Sequence, residues 1–169
     1  HPSVAMGTGT APRRPPRLDR KEGFEHIWSQ PTGFIGMLRT VDNIPIAQRY
    51  LATGFMFFVL GGLLAALMRI QLGTPDNTFL DPETYNQFFT MHGTTMMFLF
   101  VIPFLEAFAN YVIPLLNGTR DLPFPRLTAL SYWTYLFGGI FIYSSFLFGT
   151  APNGGWFAYV PLNLKEFSP

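Results

Sequence analysis

His92 stands in the run Thr90-Met91-His92-Gly93-Thr94-Thr95-Met96-Met97, near the start of a long apolar stretch. The other two of the chain's three histidines, His1 and His26, lie in a polar leader. An imidazole within a membrane span is costly unless it has a partner, and by default it marks a functional site. On a helix, Phe88, Phe89, Thr95 and Met96 fall three and four positions from His92. That gives apolar faces to lay against a macrocycle and one imidazole to reach its iron, the surroundings of a haem ligand. The same residues also fit a structural histidine, hydrogen-bonded inside a helix bundle.

A second set of polar residues follows. Asn110 is 18 residues beyond His92, which on an α-helix returns to the same face roughly 27 Å further along. Pro103, between them, is expected to kink the helix. Glu106 lies on nearly the same side and reads as an interfacial carboxylate turned to water. The loop Asn117-Gly118-Thr119-Arg120-Asp121-Leu122-Pro123-Phe124-Pro125-Arg126 is stiffened by two prolines and sets Asp121 between two arginines. Asp121 is either a salt-bridged loop carboxylate or a proton collector at the mouth of a path. Tyr50 reads as an interfacial aromatic anchor. Ser131 is among several hydroxyls that hold ordered water or bond their own helix backbone. Arg69 reads as a snorkelling arginine, or as a planar donor to the polar edge of a buried cofactor. Trp156 belongs to an aromatic shelf, Gly155 to Leu162, that anchors in lipid or lids a cofactor.

Long apolar helices must position these groups. The chain of 169 residues is 49% hydrophobic and only 12% charged, about half the charge of a soluble domain. No charged residue occurs from Leu51 to Met68, from Tyr85 to Leu105, or from Leu127 to Leu164. About 20 apolar residues suffice to cross the hydrocarbon core. The pattern therefore predicts an all-α membrane protein with three transmembrane helices, at 50–71, 84–113 and 128–149. Arginines and lysines concentrate in the leader and in the 114–127 loop, whereas the 72–83 loop has none. By the positive-inside rule the amino terminus and the Asp121 loop are cytoplasmic, and the 72–83 loop and C-terminal segment lie outside. Residues 1–27 are expected to be a disordered basic, Pro-rich leader, and 28–169 the membrane domain. The missing initial Met and the stop just beyond the third span suggest part of a longer chain with partner helices. The absence of cysteine excludes disulfides, thiolate metal sites and iron–sulfur clusters.

Taken together, Thr90 to Met96, Arg120-Asp121-Leu122-Pro123-Phe124-Pro125-Arg126, Met68-Arg69-Ile70-Gln71-Leu72 and Gly155 to Leu162 resemble subunit I of the haem-copper oxidases. The likeness is to the amino-terminal three helices of the bacterial cytochrome c oxidase type, part of a twelve-helix bundle. It implies that His92 is one of two axial histidines on a low-spin haem of a or b type. It makes Arg69 the arginine that bonds a substituent of that haem, and Trp156 the tryptophan near its propionates. Asp121 would open the D proton pathway, with Tyr50, Asn110 and Ser131 at or along it.

The resemblance further implies a proton-translocating terminal oxidase of the respiratory chain. Electrons would pass from cytochrome c to dioxygen in a bacterial inner (plasma) membrane. The high-spin haem and copper would be held by later helices absent here, so the fragment alone is not expected to be active. Implied partners are the rest of subunit I, subunits II and III, cytochrome c and lipid, with no nucleic acid. The chain departs from the pattern at Asn43-Ile44, where the family usually has His-Lys, and at Thr128-Ala129, where paired asparagines often stand. Leu60, Leu64 and Thr84 replace the polar residues of the quinol-oxidising branch, favouring cytochrome c as donor. Alternatives are a nitric oxide reductase of the same superfamily, against which Asp121 argues, and a non-catalytic membrane scaffold.

Overall fold

A computed structural model describes residues 32–168, with 21–23, 25 and 29. The expected leader over 1–27 thus lies outside the described residues except for those few. Every regular element described is helical: α1 (Gly33–Arg39), α2 (Asn43–Gln71), α3 (Pro82–Thr94), a π-helical turn (Thr95–Val101), α4 (Ile102–Leu116) and α5 (Pro125–Ser144).

Helix α2 begins seven residues before the expected span because the mixed stretch Asn43–Arg49 is helical too. Pro45 sits in the first turn, where a missing N–H breaks no helical bond. Asp42 precedes the helix but does not cap it; its carboxylate pairs with Arg120 instead, 3.3 Å away. Arg49, which the sequence suggests is one more basic residue of the leader, is buried. Its guanidinium donates to the carbonyls of Leu38 (3.0 Å) and Thr40 (2.8 Å), tying the end of α1 to α2. It also lies over the Tyr132 ring at 4.9 Å.

Helices α3 and α4 and the π turn form one continuous rod, Pro82–Leu116. Asp81 starts it, accepting from the Thr84 amide and hydroxyl at 3.1 and 2.7 Å, and Pro82 follows at the first helical position. The expected disturbance at Pro103 takes the form of the π turn just before it. Pro103 has no N–H to donate, and the Ile102 N–H reaches back five residues to the Met97 carbonyl. The Leu99 carbonyl, four residues before the proline, is taken by the Tyr135 hydroxyl at 2.8 Å. A π turn absorbs about one extra residue and so shifts the helical register beyond it by about 100°. The straight-helix alignment of His92 with Asn110 therefore does not hold.

Two helices, Asn43–Gln71 and Pro82–Leu116, are long and apolar enough to cross a membrane. Only 28% and 22% of their most apolar windows are buried. Such open apolar flanks suit lipid or partner helices better than the core of a soluble domain. Helix α5 spans 20 residues and ends at Ser144, five short of expectation, in a run of turns.

Helix α2 is the hub, packing on α3, the π turn, α4 and α5. One core cluster joins Ile46, Ala47 and Tyr50 of α2 to Ala107 of α4 and Tyr132 of α5; another joins Leu64, Met91 and Ala151. Small residues permit the close approach: a Cβ on Gly139 would come within 2.5 Å of the Phe57 ring. Hydroxyl pairs lace the helices inside the apolar contact, Thr53 with Tyr132 at 3.0 Å and Thr95 with Tyr143 at 2.8 Å.

Candidate functional site

The polar residues gather at two ends of this bundle. At one, His92 projects from α3 toward α2, and its Nδ1 lies 2.9 Å from the Gly61 carbonyl oxygen. A carbonyl only accepts, so Nδ1 carries the proton and donates it. In the neutral ring, Nε2 is then a free lone pair, and no described residue engages it. An imidazole fixed through one nitrogen on a backbone carbonyl, with the other open, is the usual state of a histidine ligand. The approach depends on Gly61, where a Cβ would stand 3.2 Å from Thr95 Cγ2 and 3.4 Å from Met96 Cε.

The residue after His92 seats Trp156. A Cβ on Gly93 would fall 2.8 Å from Trp156 Cδ1 and 3.2 Å from its Cβ and Cγ. The shelf is anchored by the Gly155 N–H, which donates to Thr90 Oγ1 at 2.8 Å, and Gly155 needs its positive φ of 79° to turn there. Thr90, His92, Gly93 and Trp156 thus form one patch. Arg69 is not joined to it. It stands eight residues beyond Gly61 on α2, exposed and with no ion-pair partner among the described residues. The donor set would fit a haem held through one imidazole: His92 with its Nε2 unengaged, beside Trp156. Among the described residues no three His, Cys, Asp or Glu side chains cluster as a metal site would require.

At the other end Asp121 accepts from the Asn43 backbone N–H at 3.1 Å and pairs with Arg120 Nε at 3.6 Å. Its side chain remains 28% exposed, so it is both ion-paired and in reach of water. Asn110 is buried, and its Nδ2 meets no hydrogen-bond partner among the described residues. Asn43, which the sequence marks only as a departure, is buried with both amide atoms unpartnered. Helices α2 and α4 run oppositely and meet at Ile46, Ala47 and Ala107. One turn further along each helix puts Asn43 and Asn110 at the same level, beside Asp121. A buried amide group left unsatisfied costs about 1–3 kcal/mol, so this place is built for water or a polar partner. No sequence signal singles out Asn43, because an asparagine at a helix start is ordinary.

Tyr50 and Ser131, 81 positions apart in sequence, meet at 2.9 Å. The Ser131 hydroxyl donates to the Thr128 carbonyl at 2.8 Å, so the Tyr50 phenol is the donor to Ser131. The anchor role expected of Tyr50 does not fit its near-complete burial. Thr128 turns its hydroxyl to the Phe124 carbonyl at 3.3 Å, spending it on its own helix. No described hydrogen bond joins Asp121, Asn110 and Tyr50 directly to one another.

Helices with open apolar flanks thus carry a histidine with one ring nitrogen unengaged at one end and unpartnered amides beside a carboxylate at the other. Residues 45–169 match the family described as Cytochrome C and Quinol oxidase polypeptide I, and the chain belongs to that family. Over 130 residues it is 50% identical to cytochrome c oxidase subunit 1 of Alkalihalophilus pseudofirmus, covering 77% of this chain and 21% of that protein. The Synechocystis protein of the same name is 51% identical over 124 residues, covering 73% and 22%. That of Bacillus subtilis is 50% identical over 129 residues, covering 76% and 21%. The chain thus spans about a fifth of the length of these relatives.

Proposed function

We propose that this chain is the amino-terminal part of the catalytic subunit of a bacterial terminal oxidase that passes electrons from cytochrome c to dioxygen and translocates protons. In this reading α2, the rod Pro82–Leu116 and α5 are three spans of the subunit in the plasma membrane. The Asp121 end faces the cytoplasm and the His92 end the opposite side. The rest of subunit I and subunits II and III complete the assembly. The observation that carries it is the Nδ1 bond of His92 to the Gly61 carbonyl, which leaves Nε2 free to bind iron.

His92 would hold a low-spin haem, a one-electron carrier when bound, with the second axial ligand, the high-spin haem and the copper supplied by the remainder of the subunit. The Gly61 carbonyl keeps the imidazole in one tautomer and one orientation. Trp156, seated on Gly93, would exclude water from that edge, and Arg69 near the end of α2 would meet a polar substituent of the macrocycle. Asp121, partly exposed, collects protons, and Asn43 and Asn110 hold the water that carries them inward. The Tyr50–Ser131 pair offers hydroxyls further along.

The test is a reduced-minus-oxidised absorption spectrum of the intact oxidase and of its His92→Ala variant. Loss of the low-spin band in the variant is expected; a band indifferent to His92 refutes the assignment. Asp121→Asn should slow turnover with the haem spectrum unchanged.

A further inference from the structure

Glu106 has no role in the account so far. Its carboxylate belongs to α4, one turn from Asn110 and about 6 Å deeper along the helix axis, counted from the Leu116 end. It is the single acidic residue of the rod Pro82–Leu116 beyond the first turn. Intramembrane carboxylates of this kind face a bundle interior or a water-filled cavity rather than lipid, and they mark proton relays.

Two cavities meet at this side chain. One, of about 380 Å³, is lined by Glu106, Asn110 and Leu122, beside the Asp121 loop. The other, of about 540 Å³, is lined by Glu106, Pro103, Tyr50, Ser131 and Tyr135. Glu106 therefore borders the Asn110 space on one side and the Tyr50–Ser131 pair on the other. Ala107, its neighbour in sequence, packs directly in the Tyr50 cluster. Neither cavity contains another titratable carboxylate or amine.

We propose that Glu106 is a proton-carrying carboxylate of the pathway that begins at Asp121, linking the Asn110 cavity to the Tyr50–Ser131 cavity. This rests on the pathway reading given above. The carboxylate takes a proton from water on the Asn110 side, forming an O–H bond and a neutral acid. It then releases that proton to water on the Tyr50–Ser131 side, restoring the carboxylate. Nothing is oxidised or reduced. The neutral form is the one an apolar groove tolerates; Glu106 is exposed in this chain, and the rest of the subunit would close the groove over it.

The experiment uses the assembled oxidase carrying Glu106→Gln, Glu106→Asp or Asp121→Asn, measuring proton uptake during single turnover and protons moved per electron. The reduced-minus-oxidised spectrum reports assembly. Glu106→Gln keeps the shape and cannot carry the proton, so uptake should slow by roughly one to two orders of magnitude. Glu106→Asp should retain most of the rate, and Asp121→Asn should be slow as well. A slow Asp121→Asn enzyme beside a Glu106→Gln enzyme equal to the parent overturns the Glu106 proposal and leaves the pathway reading standing. An Asp121→Asn enzyme equal to the parent overturns the pathway reading and Glu106 with it. Should Glu106→Gln fail to assemble, the unmutated oxidase is treated with a hydrophobic carbodiimide and its adducts are mapped by mass spectrometry. An adduct at Glu106 that grows with loss of uptake supports the relay; full inhibition with Glu106 unlabelled overturns it.

Discussion

Gly93→Ala tests whether the patch around His92 is as tightly built as its distances require. The added methyl would stand 2.8 Å from Trp156 Cδ1 and 3.2 Å from Trp156 Cβ and Cγ, against an ordinary carbon contact of about 3.5–4.0 Å. Turning χ2 can carry Cδ1 away, but Cβ and Cγ lie at the root of the side chain, so their two 3.2 Å contacts remain. The shelf cannot simply lift either, because the Gly155 N–H is held on Thr90 Oγ1. Overpacking of this kind costs about 1–3 kcal/mol. Trp156→Ala removes Cδ1 and Cγ and leaves only the 3.2 Å contact with Cβ, so most of that cost should vanish in its background. Denaturation of the assembled complex in detergent, followed by helical circular dichroism for both single variants and the double variant, measures the coupling. We expect a coupling of about 1–2 kcal/mol in the direction of rescue. The low-spin haem band should also move in Gly93→Ala, since the strained residue adjoins His92. Additive effects within about 0.5 kcal/mol, with an unmoved band, would refute the packing argument.

Tyr135→Phe strips the Leu99 carbonyl of the hydroxyl that occupies it. It should cost about 1 kcal/mol in the same denaturation assay and speed amide exchange across the π turn, and unchanged exchange there would count against the Tyr135 role. Arg49→Lys keeps the charge but cannot reach both the Leu38 and Thr40 carbonyls as a fork. It should loosen α1, raising proteolysis between Arg39 and Asn43 while leaving the rest of the bundle resistant. Asp81 caps the rod from outside the span, and its bonds to the Thr84 hydroxyl and then the Thr84 amide hold its carboxyl below the usual carboxylate range. A carboxyl depressed on folding stabilises above its unfolded pKa and loses that contribution as pH falls through the lowered folded value. The parent should therefore lose more thermal stability on acidification than Asp81→Asn, which keeps a capping oxygen without the charge.

Much of the architecture is legible because apolar length is a blunt signal. The charge-free stretches around Leu51–Met68 and Tyr85–Leu105 coincide with α2 and the long rod. What escapes is where polarity belongs to a helix rather than ends it. Asn43 and Arg49 look like leader residues by composition, yet both are buried, because α4 and α5 cover the start of α2. No spacing rule within a single segment can anticipate cover that comes from elsewhere in the chain. Helix α1 is invisible for a related reason, its C-terminal end being held by the Arg49 guanidinium.

The candidate site divides along the same line. His92 stands out in sequence because an imidazole in an apolar run needs a partner, whereas Gly61 does not, because only the fold makes its carbonyl the anchor of the ring. Helical arithmetic is reliable from Thr84 to His92, within α3, and fails from His92 to Asn110, across the π turn. Pro103 foretells a disturbance there but not its kind, since either a kink or a widened turn relieves a proline. The partner hydroxyl of Tyr135 on Leu99 favours the widened turn. That turn separates the patch that would hold an electron carrier from the carboxylates and amides that would handle protons. The register of each half is therefore set by its own contacts with α2, His92 to Gly61 on one side and Ala107 to Ile46 and Ala47 on the other. A substitution that restored unbroken α-helix through Thr95–Val101 would have to rotate one of those halves out of its seat.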